Sequence, residues 1–356
     1  TAKVTYTSGT TGHPKGVCLT AGAIEGAART LCEAVGGAPT DRALSLLPLA
    51  TLLENIGGLY APLWAGGRAQ LPGLSSCGLE GSSGLRVDAL IAALQRFDPT
   101  TLILVPQLLK ALVGAMVGGL PAPGALRLVA VGGAPVSAGL LEQARALGLP
   151  VYEGYGLSEA ASVVCLNLPG ADRLGSVGRP LPHAGVSVSP SGEVLVRAPG
   201  FRGYLGGEPR ADGPWPTGDL GYLDPDGFLH LNGRRKSPFA TAFGRNLAPE
   251  WVEGELTSHW AIAQAAVFGE GRPFNTAVIV PGPAASHAVV ASAVRATNRR
   301  LPDYARVRRW ILASESFNPR NGLASEAGAM RRVAVARRYG DQIEQLYVGE
   351  TQHVAL

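Results

Sequence analysis

The chain has 356 residues, 46% hydrophobic and 16% charged, with 31 Lys and Arg against 27 Asp and Glu for a formal net charge of +4. That composition permits a sizeable core and argues against disorder, and so small a basic excess argues against a nucleic-acid partner. Four scattered cysteines (Cys18, Cys32, Cys77, Cys165) without a C-x-x-C pair fit neither a disulfide framework nor a zinc site.

There is no apolar run of about 18 residues, and no signal peptide is expected. A cytoplasmic protein with at most peripheral membrane contact is expected. The chain opens on the β-branched run Val4-Thr5-Tyr6-Thr7, which reads as a strand. A start inside a strand is expected of a piece of a longer protein.

The strand leads into Ser8-Gly9-Thr10-Thr11-Gly12-His13-Pro14-Lys15-Gly16. Hydroxyls and glycines after a strand supply O–H and N–H donors and let the main chain close on a polyphosphate, and Lys15 adds a point charge. The Gly-Lys-Ser/Thr ending of a Walker loop is absent.

Up to about Arg235, short apolar runs alternate with helical stretches, the pattern of a layered α/β body. Residues 87–96 and 138–147 read as helices, 101–105 and 126–131 as strands, and the Gly- and Ser-rich 75–85 as a loop. From about 186 to 231 the texture turns to short strands, at 192–196 and 227–231. A boundary is expected between 235 and 236, followed by a smaller α+β unit. There a helix over 251–258 is opened by Pro249 and Glu250, strands follow at 263–268 and 276–280, and a helix at 284–299. The basic stretch 295–309 reads as the solvated face of a helix.

In this order the motifs resemble the adenylate-forming, AMP-binding superfamily, specifically its long-chain acyl-CoA synthetase branch, with the N-terminal part missing. Tyr6 to Gly16 resembles the family's phosphate loop. Gly132-Gly133-Ala134-Pro135 resembles the segment lining the adenine pocket, and Tyr152-Glu153-Gly154-Tyr155-Gly156-Leu157-Ser158-Glu159 the central signature. Thr217-Gly218-Asp219 and Gly233-Arg234-Arg235-Lys236 resemble the ribose-binding Asp and the ribose-contacting Arg with its hinge. Residues 243–253 and 268–274 resemble the fatty acyl branch.

The resemblance covers nearly the whole chain. It implies an α/β fold: a layered large domain over 1–235, partial and with a β-rich subdomain, and a small mobile α+β domain over 236–356. It implies ATP, Mg²⁺ and CoA as cofactors. A carboxylic acid, fatty by resemblance, would be joined through an acyl-adenylate to the thiol of CoA or of an acyl carrier protein. The phosphates would fall to Thr7, Ser8, Gly9, Thr10, Thr11, Gly12 and Lys15, and the adenine to Gly133, Ala134, Pro135, Tyr155 and Gly156. Asp219 and Arg234 would take the ribose, and Gly244 would border the pantetheine channel. Lys15, Ser158 and Glu159 form the implied catalytic set, with Glu159 on the metal. An apolar acyl pocket is expected partly from 53–59 and Gly132–Gly133.

The sequence departs from the pattern at two further places. Thr51 stands where long-chain relatives carry a His, and Ala329 where they carry the C-terminal catalytic Lys. The only lysines are Lys3, Lys15, Lys110 and Lys236, so none past the hinge replaces it. A positioned cation of that kind contributes several kcal/mol to phosphoryl-type transfer. The alternative expectation is therefore a weakened protein that binds nucleotide or acyl-adenylate.

Overall fold

The computed structural model describes residues 1–7, 15–80, 84–210, 213–234, 239–240, 246–325 and 330–348. The chain divides into two compact units, Thr1–Asn232 and Gly233–Leu356.

The first unit is organised by Thr101–Leu104, a strand buried at every position. Parallel strands covered on both faces read as such unbroken apolar runs. It lies within a seven-stranded sheet of order Arg179–Pro180, Ser162–Leu166, Val151–Leu157, Leu128–Val131, Thr101–Leu104, Arg42–Leu44, Arg68–Gln70. Pairing is parallel from Val151–Leu157 to Arg68–Gln70 and antiparallel at the other edge.

Leu102, Leu104, Val129 and Val131 pack with Leu90, Leu109 and Leu141 from the helices Val87–Phe97, Pro106–Val117 and Ala138–Ala146. On the opposite face Ala130 joins a cluster built on Ala27 and Leu31 of helix Ala21–Ala34, together with Ile56. Gly57 allows the close approach there: a Cβ on it would stand 2.8 Å from Ile103 Cδ1.

Two further sheets, of three and four strands, stand beside the seven-stranded one. One pairs Lys3–Thr7 with Lys15–Leu19, and the latter with Phe201–Tyr204. The other runs Gly185–Val188, Glu193–Arg197, Trp215–Leu223, Leu229–Arg234.

The second unit carries a three-stranded sheet in which Asn275–Pro281 pairs antiparallel with Ile262–Phe268 and parallel with Val307–Leu312. Alternation sorts its residues between two cores. Ala277 and Ile279 pack with Val252, Leu256 and Val294, while Val278 and Val280 pack with Phe317, Val335 and Tyr339. Helices Pro249–Thr257 and His287–Arg300 serve the first core and Arg332–Gln345 the second.

The fold class is the expected one, an α/β large unit and a smaller α+β unit. Two local expectations are corrected. The stretch 75–85 is not simply loop: Leu74–Cys77 makes a tight helical turn, and Leu79–Glu80 pairs with Gly84–Leu85. The basic stretch 295–309 is not one helix, because the helix ends at Arg300 and Val307–Leu312 is a strand. Pro302, which disfavours helix at the residue before it, stands at the break. All four cysteines are buried and free. Among the described residues no helix is long and apolar enough to cross a membrane.

Candidate active site

The site grows from strand ends. Lys3–Thr7 and Lys15–Leu19 form an antiparallel pair whose last register pair is Thr7 with Lys15, so the two ends of the Ser/Thr/Gly run are held side by side. Ser8, Gly9, Thr10, Thr11 and Gly12 lie outside the described residues. Gly16 is needed for packing: a Cβ would meet Val4 Cγ1 at 2.9 Å and Leu205 Cβ at 3.0 Å. Leu205 N donates to Gly16 O at 2.7 Å, which seats the strand Phe201–Tyr204 against Lys15–Leu19.

Gly133, Ala134 and Pro135 follow the parallel strand Leu128–Val131 at its carboxyl end, and all three are exposed. The carboxyl ends of parallel strands are where open α/β sheets present ligand crevices. Gly133 takes a left-handed φ of 81°, and its Cβ position lies 3.5 Å from Leu53 Cδ2 and 3.8 Å from Val105 Cγ1. Leu53 is thus the part of the expected acyl-pocket segment that meets the glycines. Ile56 is instead wholly buried against helix Ala21–Ala34. Thr51 is exposed and donates its hydroxyl to Pro48 O at 2.8 Å.

The neighbouring strand Val151–Leu157 carries Tyr155 and Gly156 and ends in a tight turn at Ser158–Ala160. Glycine is obligatory at 156, where a Cβ would fall 1.9 Å from Ser162 O. The turn is followed by two residues with left-handed φ, Ala161 at 56° and Ser162 at 98°, which reverse the chain into Ser162–Leu166. Ser158 and Glu159 are thereby half-buried at the rim of the sheet.

Two contacts tie this turn and strand to other elements. Tyr155 donates its hydroxyl to Asp219 Oδ2 at 2.5 Å. Asp219 is buried and its N–H donates to Thr217 Oγ1 at 3.0 Å, while Gly218 N–H donates to Glu193 Oε1 at 3.1 Å. Tyr204 donates its hydroxyl to Glu159 Oε1 at 2.8 Å, and Lys15 Nζ sits 5.3 Å from the centroid of the Tyr204 ring. Burial, reinforced by the Glu159 carboxylate, pushes the Tyr204 phenol up to about 12, so it stays a proton donor.

The remaining expected positions divide. The backbone of Arg234 ends the strand Leu229–Arg234. Gly244, Lys236 and Ala329 lie outside the described residues. Among those described, the structure brings together Tyr155 with Asp219 and, through Tyr204, Lys15 with Glu159.

A sequence profile described as AMP-binding enzyme matches residues 1–205, more than half of the chain. The chain belongs to the AMP-binding enzyme family. A second profile, described as AMP-binding enzyme C-terminal domain, matches residues 239–351 of this AMP-binding enzyme. Long-chain-fatty-acid–CoA ligase FadD15 of Mycobacterium bovis is 32% identical over 254 residues, covering 63% of this chain and 42% of the relative. The 2-succinylbenzoate–CoA ligase of Bacillus subtilis is 32% identical over 286 residues, covering 76% and 56%. The chain therefore spans about half the length of these curated relatives. The solved o-succinylbenzoate coenzyme A synthetase (MenE) of Bacillus subtilis, in complex with ATP and magnesium ion, superposes with a TM-score of 0.74 at 26% identity, over 96% of this chain and 69% of that one.

Sequence reasoning missed Tyr204 in this AMP-binding enzyme. Its signal was slight, an aromatic in the short run Phe201-Arg202-Gly203-Tyr204, and its importance follows only from the pairing with Lys15–Leu19. As to a metal, no group of three or more His, Cys, Asp or Glu side chains is placed to hold an ion among the described residues. Glu159 offers Oε2, which has no partner among the described residues, while Oε1 is engaged by Tyr204. One half-buried carboxylate beside a phosphate-loop strand fits Mg²⁺ arriving with a polyphosphate, since Mg²⁺ takes one or two carboxylates and fills its shell with phosphate oxygens and water.

Proposed function

We propose that this AMP-binding enzyme is an ATP-dependent acid–thiol ligase that activates a carboxylic acid, preferentially a fatty acid, and transfers the acyl group to CoA. The observation that carries the reading is a pair of tyrosine-centred contacts: Tyr155 donates its hydroxyl to Asp219, and Tyr204 meets Glu159 with its hydroxyl and Lys15 with its ring. Phosphate, metal and ribose chemistry are what a Lys, a half-buried Glu and a buried Asp can supply.

In the first half-reaction a carboxylate oxygen of the acid attacks the α-phosphorus of ATP, the bond to the β-phosphate oxygen breaks, and pyrophosphate leaves. Lys15 and the run from Thr7 to Gly12 hold the leaving phosphates. Ser158 contacts the α-phosphate, Tyr155 stacks on adenine beside Gly133, Ala134, Pro135 and Gly156, and Asp219 with Arg234 fixes the ribose. Glu159 would hold Mg²⁺, which would supply charge neutralisation on the phosphate oxygens. In the second half-reaction the thiol sulfur, passing Gly244, attacks the acyl carbonyl carbon and AMP leaves. A mixed anhydride splits one difficult substitution into two easier ones. The apolar meeting of Leu53, Val105 and Gly133 supports an apolar acid. A carrier-protein pantetheine presents the same thiol, and a comparison of acceptors separates it from CoA.

Ala329 and Thr51 support a second reading, a weakened protein that binds nucleotide or acyl-adenylate. The deciding experiment is ATP–pyrophosphate exchange across a panel of fatty and aryl acids, for the protein as it stands and for Ala329→Lys. Exchange stimulated by fatty acids supports the ligase. Exchange within about tenfold of the Lys variant rules out a weakened first step, because tenfold is only about 1.4 kcal/mol of barrier. Nucleotide binding with no exchange in the protein as it stands favours the second reading.

A further inference from the structure

We propose that Tyr204 is a positioning residue for the metal–phosphate end of this site, holding Glu159 by its hydroxyl and Lys15 by its ring so that the two charges remain available to Mg²⁺ and phosphate. The inference rests on the Mg·ATP reading above and deepens it.

Lys15 and Glu159 both contact one side chain, yet they form no ion pair with each other among the described residues. An ammonium and a carboxylate free to close on one another would form a pair that must be broken before phosphate and metal can bind. The tyrosine gives each a different partner. The face of its ring meets the ammonium in a cation–π contact. Its hydroxyl takes Oε1 of the carboxylate and leaves Oε2.

Tyr204 is itself fixed. It pairs with Val17 across the strands, one position beyond Gly16. Its ring meets Phe201 edge-on at 5.4 Å, and the next residue, Leu205, is anchored to Gly16 by a main-chain hydrogen bond. Partners that orient a metal-binding side chain typically change metal affinity 10–100-fold when removed.

The test is calorimetric titration of ATP, in excess MgCl₂ and in EDTA, into the protein, Tyr204→Phe and Tyr204→Leu. The quantity read is the ratio of the two dissociation constants, which isolates the metal's contribution. Tyr204→Phe keeps the ring and is expected to lower that ratio about tenfold while leaving affinity in EDTA unchanged. Tyr204→Leu is expected to lower the ratio equally and also to change affinity in EDTA, because the ring contact with Lys15 is lost. An unchanged ratio in Tyr204→Phe overturns the inference. So does an equal loss with and without Mg²⁺, which marks a merely structural role. If the unaltered protein binds no ATP in either buffer, the Mg·ATP reading falls first and takes the inference with it.

Discussion

Tyr155 and Asp219 are joined by a hydroxyl–carboxylate hydrogen bond of 2.5 Å, linking a strand of the central sheet to the four-stranded sheet. Asp219 is buried, so the carboxylate relies on such donors in place of water. In the proposed ligase the same two residues hold the base and the sugar of one nucleotide, and the bond fixes their separation before the nucleotide arrives.

Coupling between the two is therefore expected to be measurable. Hydrogen bonds to charged groups are worth about 1.5–3 kcal/mol, and directly contacting residues show non-additivity of about 0.5–3 kcal/mol. Urea unfolding of Tyr155→Phe, Asp219→Asn and the double variant is expected to show the double variant less destabilised than the sum of the singles by about 1 kcal/mol. Strict additivity refutes the coupling.

Gly156 gives a sharper steric prediction. An added Cβ would stand 1.9 Å from Ser162 O, a backbone atom of the paired strand, so nothing flexible can give way. Gly156→Ala is expected to destabilise the protein by about 3 kcal/mol or more, beyond the usual range for modest overpacking. Gly26 provides the control, since it lies inside helix Ala21–Ala34 with nothing within 4 Å of an added Cβ. Gly26→Ala is expected to stabilise by about 0.5–1 kcal/mol. Thermal melts of the two variants moving in the same direction would contradict the geometry.

These two glycines illustrate what the sequence discloses. The run from Tyr152 to Glu159 is legible because glycine stands where the backbone must approach another strand, as at Gly154 and Gly156, while the loop from Ser8 to Gly12 lies outside the described residues. The strand at 101–104 is legible from its unbroken apolar run, and so are two strands of the second unit's three-stranded sheet, Ile262–Phe268 and Asn275–Pro281, from flanking turn residues. Tyr204 is not legible, because its partners Lys15 and Glu159 are distant in sequence and are brought to it by antiparallel pairing with Lys15–Leu19. Arg308 and Arg309 read as helix because charge on a solvated face looks alike in a helix and in an edge strand; the break at Pro302 is the available signal.

Glu54 sets a pH dependence. It is wholly buried, Oε1 has no hydrogen-bond partner among the described residues, and burial pushes its carboxyl up to about 7. The folded pKa lies above the unfolded one, so the stability associated with the protonated acid is full below about 4.5 and is lost as pH rises to about 7. Glu153, raised by burial to about 8, acts in the same direction and extends the window upward. Each group contributes a slope of at most about 1.4 kcal/mol per pH unit. Denaturant unfolding between pH 5 and pH 8 is expected to show declining stability, and Glu54→Gln, which imitates the neutral acid, to flatten the decline below pH 7. An unchanged pH profile in that variant would show that Glu54 is ionised in the folded protein.

In the second unit, Arg332 is the residue whose removal is expected to be most damaging. It donates to Glu253 through both terminal nitrogens, one at 3.0 Å from Oε2, and also to Val267 O at 2.9 Å and Glu250 Oε1 at 3.2 Å. Glu253 is buried, and its Oε1 also accepts from Val267 N–H at 2.7 Å. The network thus pins the helix Arg332–Gln345 to both Pro249–Thr257 and the strand Ile262–Phe268. Arg332→Met leaves the Glu253 carboxylate without its cation and is expected to cost about 3–5 kcal/mol, the range for breaking one side of a buried pair. Combining it with Glu253→Leu removes the stranded charge and is expected to recover part of the loss, since apolar replacement of both members of a buried pair is often close to neutral. Calorimetric unfolding checks both steps. If the double variant is no more stable than Arg332→Met alone, the penalty arises from lost packing of the arginine stem and not from an uncompensated charge.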